Sequence, residues 1–389
     1  MLPQDARREA LLRGATWLAP RPDRPAPKAS AGLAVGGELD RPSGLGEGAR
    51  LLLAACTTLG VPAWPVRPGG AVPPEGAPLV LHGNPVSLPS ELIRLKRAQI
   101  SGRRVIGYWP WELPVVPDAW RRGVGFVHEV WAPSRFTADA LASLVPDVRV
   151  VPYPVAVRPP APSALGRAAF GLPDDAVVTL VRFSLASSFE RKNPLGALAA
   201  HRAAFGDRPD RILLLHVTNP THFPADFARI QAASGTNVRI ATDALSRADA
   251  EAMLAACDIV LSLHRSEGFG LVPAEAMMMA KPVVATDWSA NTEFMDSSCA
   301  AMVPMRLIEA RDDRGIYAMP GAVWADPDIE AAAAWLQRLA DDPALRTRLG
   351  QAGQAAAEAR LGPSALADAL RALGLAALAD ALRALGLAV

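Results

Sequence analysis

The chain has 389 residues, of which half are hydrophobic and a fifth are charged, so it can form large buried cores and is not wholly disordered. With 40 Lys and Arg residues against 39 Asp and Glu, the formal charge of +1 argues against a globally basic, nucleic-acid-binding surface. The sequence contains no run of about 18 apolar residues, so no transmembrane helix is expected. The three cysteines are far apart and form no C-x-x-C pair, so neither a disulfide framework nor a structural zinc site is expected.

Residues 1–30 are interpreted as an N-terminal extension, with an amphipathic stretch around Leu11 and Leu12 followed by the proline-rich APRPDRPAPK. Acidic and arginine side chains interrupt the region that would be apolar in a signal peptide, so we expect a cytoplasmic protein. Residues 31–158 then alternate short strand-like runs with segments of helical period. The strand-like runs are LAVGGEL, PLVLHG, RVIGYWP, VHEVWAP and VRVVPYPV.

A second alternating series follows the proline-rich joint near residue 160 and defines a domain over residues 159–345. Its predicted strands are AVVTLVRF, RILLLHVT, NVRIAT, DIVLSLH and PVVAT. Strands that alternate with helices predict a parallel sheet covered by helices, so the pattern favours two Rossmann-like α/β domains. Residues 346–389 are predicted to be helical and contain a 12-residue tandem duplication, ALADALRALGLA at 365–376 and again at 377–388. Asp326 and Asp342, each before a proline, are predicted to cap helices.

Ligands of parallel sheets bind beyond the carboxyl ends of the strands, so the residues after DIVLSLH and after AVVTLVRF are candidates for a ligand-binding site. After the first of these, SEGFGLVPAE places Glu267 in a loop and Glu275 on the following helix, eight residues apart. Gly268 and Gly270 would let the backbone approach a ligand, and the helix amides would suit phosphate or hydroxyl oxygens. Carboxylates accept pairs of hydrogen bonds, which suits adjacent hydroxyls of a sugar or ribose. The alternative is that Glu275 is an ordinary acidic residue of a helix and Glu267 one of a loop.

The second loop contains FERKNP, in which Arg191 and Lys192 precede a predicted helix. Two adjacent cations there would seat a diphosphate, and a solvated Arg-Lys pair is the alternative; we expect both side chains at an exposed helix start. In the N-terminal half, SGLGEGAR supplies Gly44, Gly46 and Gly48, which we interpret as a flexible glycine loop rather than a complete dinucleotide fingerprint.

Taken together, these motifs resemble those of GT-B glycosyltransferases of the retaining family four. The segment SEGFGLVPAEAMMMAKPVVATDWSANTEFM is similar to the donor-site signature of that family, and SFERKNP is similar to its diphosphate-binding motif. SGLGEGARLL, GYWPWELPVVP and EVWAPSRFTADAL resemble the N-terminal domain of the family. The resemblance covers roughly residues 31–360. It implies two Rossmann-like domains whose parallel sheets face each other across a cleft, with a helical C-terminal tail.

The resemblance also implies roles for individual residues. Arg191 and Lys192 would neutralise the donor diphosphate in place of a metal, so no metal or other cofactor is expected. Glu275 would hold the ribose hydroxyls, and Gly46 would let the N-terminal loop close over the phosphates. The transferred sugar would be held by Glu267 and by the loop that follows it, namely Gly268, Phe269, Gly270 and Leu271. Retention would follow a front-face route in which the leaving phosphate helps to deprotonate the acceptor.

The implied activity is transfer of a hexose-type sugar from a UDP- or GDP-sugar donor to a glycan or lipid-linked acceptor. The N-terminal domain is short for this fold, so its acceptor groove is expected to be minimal or to be completed by a partner. His82 and Glu112, each after a predicted strand, are the acceptor-side candidates; a structural histidine and a turn carboxylate are the alternatives. A basic stretch of five cations would be either a solvated face or a contact with an anionic membrane surface or lipid diphosphate, which would place the protein peripherally at the inner face of the membrane. These cations are Arg94, Lys96, Arg97, Arg103 and Arg104.

Four alternatives to a transferase differ from it in what the sequence would have to supply. A nucleotide-sugar epimerase of the same fold would act without an acceptor, and a catalytically silent subunit would bind ligand only in support of an active partner. A phosphorylase would need a pyridoxal lysine, for which the few lysines offer no evident pocket. A glycoside hydrolase that used Glu267 and Glu275 as acid and nucleophile would leave the adjacent cations without a purpose. The base, the sugar, the acceptor and the oligomeric state are not encoded in any of these motifs.

Overall fold

The computed structural model describes residues 4–375, so the second copy of the 12-residue duplication lies outside the described residues. The described residues up to Arg158 and from Leu361 onward form one compact unit, called unit 1. Pro159–Arg360 form the other, called unit 2.

Unit 1 is built on a six-stranded parallel sheet of order β2-β1-β3-β4-β5-β6. The strands are β1 Leu33–Gly37, β2 Ala63–Val66, β3 Leu79–His82, β4 Val105–Tyr108, β5 Glu129–Ala132 and β6 Val148–Val150. The helices are α1 Gln4–Leu18, α2 Gly44–Thr58, α3 Leu88–Arg94, α4 Arg121–Val124 and α5 Arg135–Leu141. The predicted strand runs of this half contain β1, β3, β4, β5 and β6; β2, only four residues long with a proline in it, was not predicted.

Unit 2 is built on a second six-stranded parallel sheet of order β12-β11-β10-β7-β8-β9. The strands are β7 Val177–Ser184, β8 Arg211–Thr218, β9 Val238–Ala241, β10 Ile259–Ser262, β11 Val283–Thr286 and β12 Ala301–Val303. An antiparallel hairpin adds β13 Met305–Glu309 and β14 Val323–Pro327. The helices are α6 Phe189–Lys192, α7 Pro194–Phe205, α8 Pro224–Ala233, α9 Arg247–Ala256, α10 Leu271–Met278, α11 Ile329–Asp341 and α12 Pro343–Arg360.

The core of unit 2 is apolar because its central strands are buried on both faces. β8 shows six consecutive buried residues, from Ile212 to Val217, which is typical of a parallel strand covered by helices. The helices α7 and α11 pack beside each other on this sheet, and Leu336 and Leu339 of α11 are fully buried. The two α/β sheets predicted from the alternation of strands and helices are therefore present.

The predicted boundary between the second domain, residues 159–345, and the C-terminal helices, residues 346–389, differs from the one in the structure. That boundary falls inside α12, which packs against α10 of unit 2 through Gly350 and Gly353. The chain returns to unit 1 at Leu361, whose carbonyl accepts a hydrogen bond from the amide of Ala156. The last described helix is α13, Ser364–Ala372, which contains most of the first copy of the duplication.

One predicted helix cap was wrong and one agrees with the structure. Asp326 belongs to β14 and pairs with Arg265 at 2.9 Å, while Asp328 caps α11 by accepting from the amide of Ala331. Because β14 extends to Pro327, helix α11 begins at Ile329, two residues later than predicted. The periodicity of the sequence did not indicate the β13–β14 hairpin. Asp342 does cap α12, accepting from the amide of Leu345 at 2.8 Å.

Candidate functional site

The loop after β7 carries the adjacent cations and has an unusual backbone. Ser188 and Asn193 flank α6 with φ angles of 98° and 51°, a region that side chains rarely adopt. Ser188 Oγ accepts from the amide of Arg191, and Asn193 caps α7 by accepting from the amide of Gly196. Asn193 Nδ2 also donates to the carbonyl of Leu263 at 2.9 Å, which ties this loop to the end of β10. Strained residues of this kind concentrate at binding sites, where surrounding contacts hold them in place.

Arg191 is buried, which corrects the expectation that both cations lie at an exposed helix start. Only 3% of Arg191 is exposed, and its guanidinium donates to the carbonyls of Ser266 at 2.9 Å and Ser187 at 3.1 Å. The four-residue helix α6 turns this side chain inward, under the loop that follows β10. Arg191 therefore connects the two loops structurally. Lys192 keeps 19% of its side chain exposed.

The loop after β10 carries Glu267 and leads into α10. Its backbone is fixed by the amide of Glu267, which donates to Ser289 Oγ at 2.9 Å. Gly270, with a φ of 100°, precedes α10 at the N-cap position, where an L side chain would be strained. Phe269 is buried against Phe294, with the ring centroids 5.3 Å apart. The loop is thus held from beneath and presents its backbone at the start of α10.

Arg191, Lys192 and Glu267 form one cluster. Arg191 Nη1 lies 3.2 Å from Glu267 Oε2, and Lys192 Nζ donates to Glu267 Oε1. Burial acts to raise the pKa of Glu267, but the charges of Lys192 and Arg191 outweigh it and lower the pKa to about 2. Glu267 is therefore ionised at neutral pH and accepts hydrogen bonds only. The cluster keeps one net positive charge with which to attract an anion.

A histidine behind this cluster is structural. His264 is 1% exposed and bonds Asn291 Oδ1 and Ser262 Oγ, each at 2.9 Å. Burial lowers its pKa, although the nearby charge of Glu267 opposes that effect. His264 is neutral near pH 7 and orients Asn291 and the backbone below Glu267.

Glu275 lies in α10 and is paired with a residue that the sequence reading missed. Arg182 Nη1 donates to Glu275 Oε2 at 3.3 Å, and both side chains keep about 30% of their surface exposed. Arg182 is the sixth residue of β7, near its carboxyl end. The arginine within the largely apolar strand VVTLVRFS is the feature of the sequence that could have indicated a partner for Glu275.

The tip of the β13–β14 hairpin packs on the loop that carries Arg191, and the sequence reading missed this as well. Asp312 is buried and accepts from Ser188 Oγ at 3.1 Å and from the amide of Ile316 at 2.8 Å. Arg314 donates to the carbonyl of Leu185, and the guanidinium of Arg191 lies 5.8 Å from the ring centroid of Tyr317. The hairpin tip thus holds residues 185–191 from outside. Burial and a hydrogen bond with Asp312 raise the pKa of Glu190 in the same loop.

Gly46 is not in a flexible loop, which corrects the prediction for SGLGEGAR. Gly44 begins α2, and the amide of Gly46 donates to the capping Ser43 Oγ at 3.0 Å. A Cβ on Gly46 would lie 2.4 Å from the carbonyl oxygen of Glu38 and 2.6 Å from that of Arg41. The glycine is therefore required by close packing of the helix start within unit 1, and Ser43 gives the segment a helix cap.

His82 is also a buried residue, which contradicts its expected contact with an acceptor. It is 1% exposed, stacks on Tyr108 with centroids 4.7 Å apart, and bonds Tyr153 Oη through Nε2 at 2.8 Å. Burial lowers its pKa to about 3, so it stays neutral in the core of unit 1. Glu112 follows β4 and is half-buried beside the buried Trp111; its acceptor-side role stays a prediction.

Within residues 4–375, no group of three or more His, Cys, Asp or Glu side chains is arranged to hold a metal ion. In the same part of the chain, no helix combines the length and the apolar character needed to cross a bilayer.

Part of this chain is similar to a known protein family. Residues 197–318 match the family model described as glycosyl transferases group 1. No curated protein gives a significant sequence match.

Several solved structures share the fold at low sequence identity. A glycosyltransferase from Rickettsia africae is similar with a TM-score of 0.62 at 12% identity, over 89% of this chain and 99% of that one. HepE of Anabaena, solved with UDP and glucose, is similar with a TM-score of 0.58 at 14% identity, over 88% and 100%. Sucrose-phosphate synthase from Thermosynechococcus elongatus gives 0.55 at 19%, over 78% and 75%. The chain therefore has the GT-B fold of two Rossmann-like domains, and its residues 197–318 resemble group 1 glycosyl transferases.

Proposed function

We propose that the protein is a retaining, metal-independent glycosyltransferase that uses a nucleoside diphosphate sugar. The observation that carries the proposal is the cluster of Arg191 and Lys192 against an ionised Glu267, at the carboxyl ends of two parallel strands. Parallel sheets bind ligands at that edge, and preorganised cations stabilise the charge of a departing diphosphate. The group 1 match over residues 197–318 includes Glu267 and supports the same reading.

Each residue would have one task in this reaction. Lys192 and Arg191 would take the diphosphate oxygens, while Glu267 and the backbone at Phe269, Gly270 and Leu271 would hold the sugar hydroxyls. Glu275, positioned by Arg182, would accept from the ribose hydroxyls. The bond from the anomeric carbon to the phosphate oxygen would break, and the acceptor oxygen would bond to the same face. The acceptor proton would pass to the departing phosphate.

The low pKa of Glu267 argues against its use as the acid of a glycoside hydrolase. A hydrolase needs one carboxylic acid that is still protonated near its working pH, which requires a raised pKa. The two cations lower the pKa of Glu267 to about 2 instead. An ionised carboxylate suits a hydrogen-bond acceptor for sugar hydroxyls.

The donor is proposed to be a UDP- or GDP-hexose, by analogy with the Anabaena neighbour solved with UDP and glucose. A glycan or a lipid-linked molecule would be the acceptor, and a lipid-linked one would bring this cytoplasmic protein to the inner face of the membrane. An epimerase and a silent binding subunit remain the alternatives.

A thermal-shift series tests the proposal. The full chain is heated with UDP, GDP, ADP, dTDP and CMP and with their sugar conjugates, with and without EDTA. A ligand at about 100 times its dissociation constant adds about 2.7 kcal/mol, which moves Tm by several degrees. One nucleoside diphosphate should raise Tm, and EDTA should leave that rise unchanged.

The other outcomes separate the alternatives. If EDTA abolishes the rise, metal independence is wrong. If no nucleotide raises Tm, the silent-subunit alternative replaces the transferase. If the sugar nucleotide is isomerised in the absence of any acceptor, the enzyme is an epimerase.

A further inference from the structure

The N-terminal helix α1 has two apolar faces, and only one of them is packed. Leu12 and Ala15 are half-buried and Ala19 is buried on the side that packs on α3. Leu11, Trp17 and Leu18 are 75%, 84% and 66% exposed. Leu11 and Leu18 are seven residues apart, so they lie on one side of the helix, with Trp17 next to them. Nothing in residues 4–375 covers this outer face.

Positive charge is concentrated in the same two helices and their flanking segments. Residues 1–30 and 88–104 contain eleven Lys and Arg residues and four Asp and Glu, whereas the whole chain has a net charge of only +1. On the neighbouring helix α3 and just after it, Ile93, Arg94 and Arg97 are exposed. The rest of the chain is therefore net acidic in total, and these two segments of unit 1 carry the excess of positive charge.

Only some of the five cations between Arg94 and Arg104 contribute positive charge to the exposed surface beside α1 and α3. Arg103 is 3% exposed and donates to backbone carbonyls, including that of Ala77. Arg104 lies 3.5 Å from Glu129, which partly neutralises it. Arg94, Lys96 and Arg97 remain exposed beside the helix pair.

We infer that the outer face of α1, with the cations of α3 beside it, binds the surface of an anionic lipid bilayer. Apolar and aromatic side chains flanked by Arg and Lys are the pattern of helices that lie in the membrane interface, and Trp in particular prefers that region. A second copy of the chain fits less well, since a symmetric contact would bring two cationic surfaces together. The inference is independent of the transfer reaction, because it uses none of the residues around Glu267.

Vesicle co-sedimentation of the full chain tests the inference. Vesicles of phosphatidylcholine alone are compared with vesicles that also contain phosphatidylglycerol, at low salt and at about 1 M NaCl, where the Debye length falls to about 3 Å. Binding to the anionic vesicles should be at least about tenfold tighter than to neutral ones and should weaken at high salt. Emission from Trp17 should shift to the blue on binding, measured as the difference from Trp17→Phe.

Two sets of variants separate the apolar and the electrostatic contributions. Leu11→Ser with Trp17→Ser should weaken binding about tenfold or more, because each apolar side chain that enters the interface is worth about that factor. Arg94→Glu with Arg97→Glu should weaken it to a similar degree. Leu307→Ser is the matched control, since Leu307 is 48% exposed on β13 of unit 2 and should not change binding.

Three results would overturn the inference. One is the absence of binding to anionic vesicles. Another is vesicle binding that the Leu11→Ser and Trp17→Ser changes leave intact, which would show a purely electrostatic surface. The third is a concentration-dependent dimer in light scattering that the same changes abolish, which would assign the outer face of α1 to a second copy of this chain.

Discussion

The guanidinium of Arg191 lies 3.2 Å from the carboxylate of Glu267 and joins the loops that follow two paired parallel strands, β7 and β10. Because Arg191 also donates to the carbonyl of Ser266, it fixes the backbone next to that carboxylate. Lys192 contacts the same carboxylate but is more exposed. We therefore expect the two adjacent cations to differ: Arg191 would hold the two loops together in addition to its proposed contact with the diphosphate, whereas Lys192 would act mainly on the diphosphate.

Substitution of the two cations should separate these tasks. Lys192→Ala should lower sugar transfer about 100-fold or more, because a preorganised cation at the diphosphate is lost, while Tm of the free protein changes little. Arg191→Ala should lower transfer and also lower the free energy of unfolding by about 3 kcal/mol, because buried hydrogen bonds and an ion pair are broken. Urea unfolding and donor-dependent turnover measure the two effects. Normal turnover in Lys192→Ala would contradict the diphosphate role.

Arg182 and Glu275 should behave as a coupled pair in nucleotide binding. Glu275→Ala should raise the Kd of the nucleoside diphosphate about tenfold, since hydrogen bonds to a charged group are lost. Arg182→Ala should raise it about threefold, because Arg182 acts through the orientation of Glu275. In the double variant the Arg182 change should add nothing. Calorimetric titration gives the Kd values, and Arg306→Ala, an exposed arginine paired with Asp326, is the control. Fully additive effects would mean that Arg182 acts independently of Glu275.

Asp312 should be required for the loop that carries Arg191. Asp312→Ala removes acceptors for Ser188 Oγ and the amide of Ile316, so the free energy of unfolding should fall by about 2 kcal/mol. Nucleotide affinity should fall too, because Ser188 caps α6. Asp313→Ala provides the comparison, since the side chain of Asp313 is 80% exposed. Equal nucleotide affinity in the two variants would contradict a positioning role for the hairpin tip.

A buried histidine in α7 should make the protein sensitive to acid. His201 is 1% exposed, its Nε2 has no hydrogen-bond partner among the described residues, and burial lowers its pKa from 6.5 to about 4. Between these values the unfolded chain takes up the proton and the folded one does not, so stability falls as pH drops below 6.5. The loss at pH 5 should be about 2 kcal/mol from this residue.

His201→Leu should remove that contribution. Urea unfolding at pH 7 and pH 5 would show a smaller loss of stability in the variant than in the parent. An identical loss in both proteins would mean that His201 takes up its proton in the folded state near its ordinary pKa.

Gly48 should tolerate no side chain, for a reason of packing. A Cβ there would lie 2.5 Å from Tyr153 Cε1 and 2.6 Å from His82 Nε2, inside the aromatic stack of unit 1. Gly48→Ala should therefore lower the free energy of unfolding by about 1–3 kcal/mol. Gly166→Ala, where a Cβ meets nothing within 4 Å, should be neutral or slightly stabilising. If Gly48→Ala left stability unchanged while nucleotide binding was lost, the phosphate role expected for the glycine segment would be restored.

The alternation of strands and helices could be predicted because long buried strands such as β7 and β8 appear in the sequence as apolar runs. The short strands could not be predicted in this way. β12 has three residues, and the β13–β14 hairpin has exposed positions that resemble a loop. The period of GARLLLAACTTLG predicts a helix from Gly48, but the helix begins at Gly44. Its first turn was interpreted as a loop because glycine is a poor helix former, and Ser43 was the sign of the earlier start.

The class of fold and the chemical groups that follow the strands could be predicted from the sequence, because the hydrophobic period and the order of the loops are local properties of the chain. Arg191, Lys192 and Glu267 could be assigned to one edge of a sheet, because parallel strands bring their carboxyl ends together there. Which of these groups are buried became evident only in the folded structure. Burial of Arg191 and His82 depends on residues far away in the chain, Ser266 and Tyr153, whose approach no local pattern encodes. Gly46 packs against the carbonyl of Glu38, which is near in sequence but is brought there by an irregular turn that has no period.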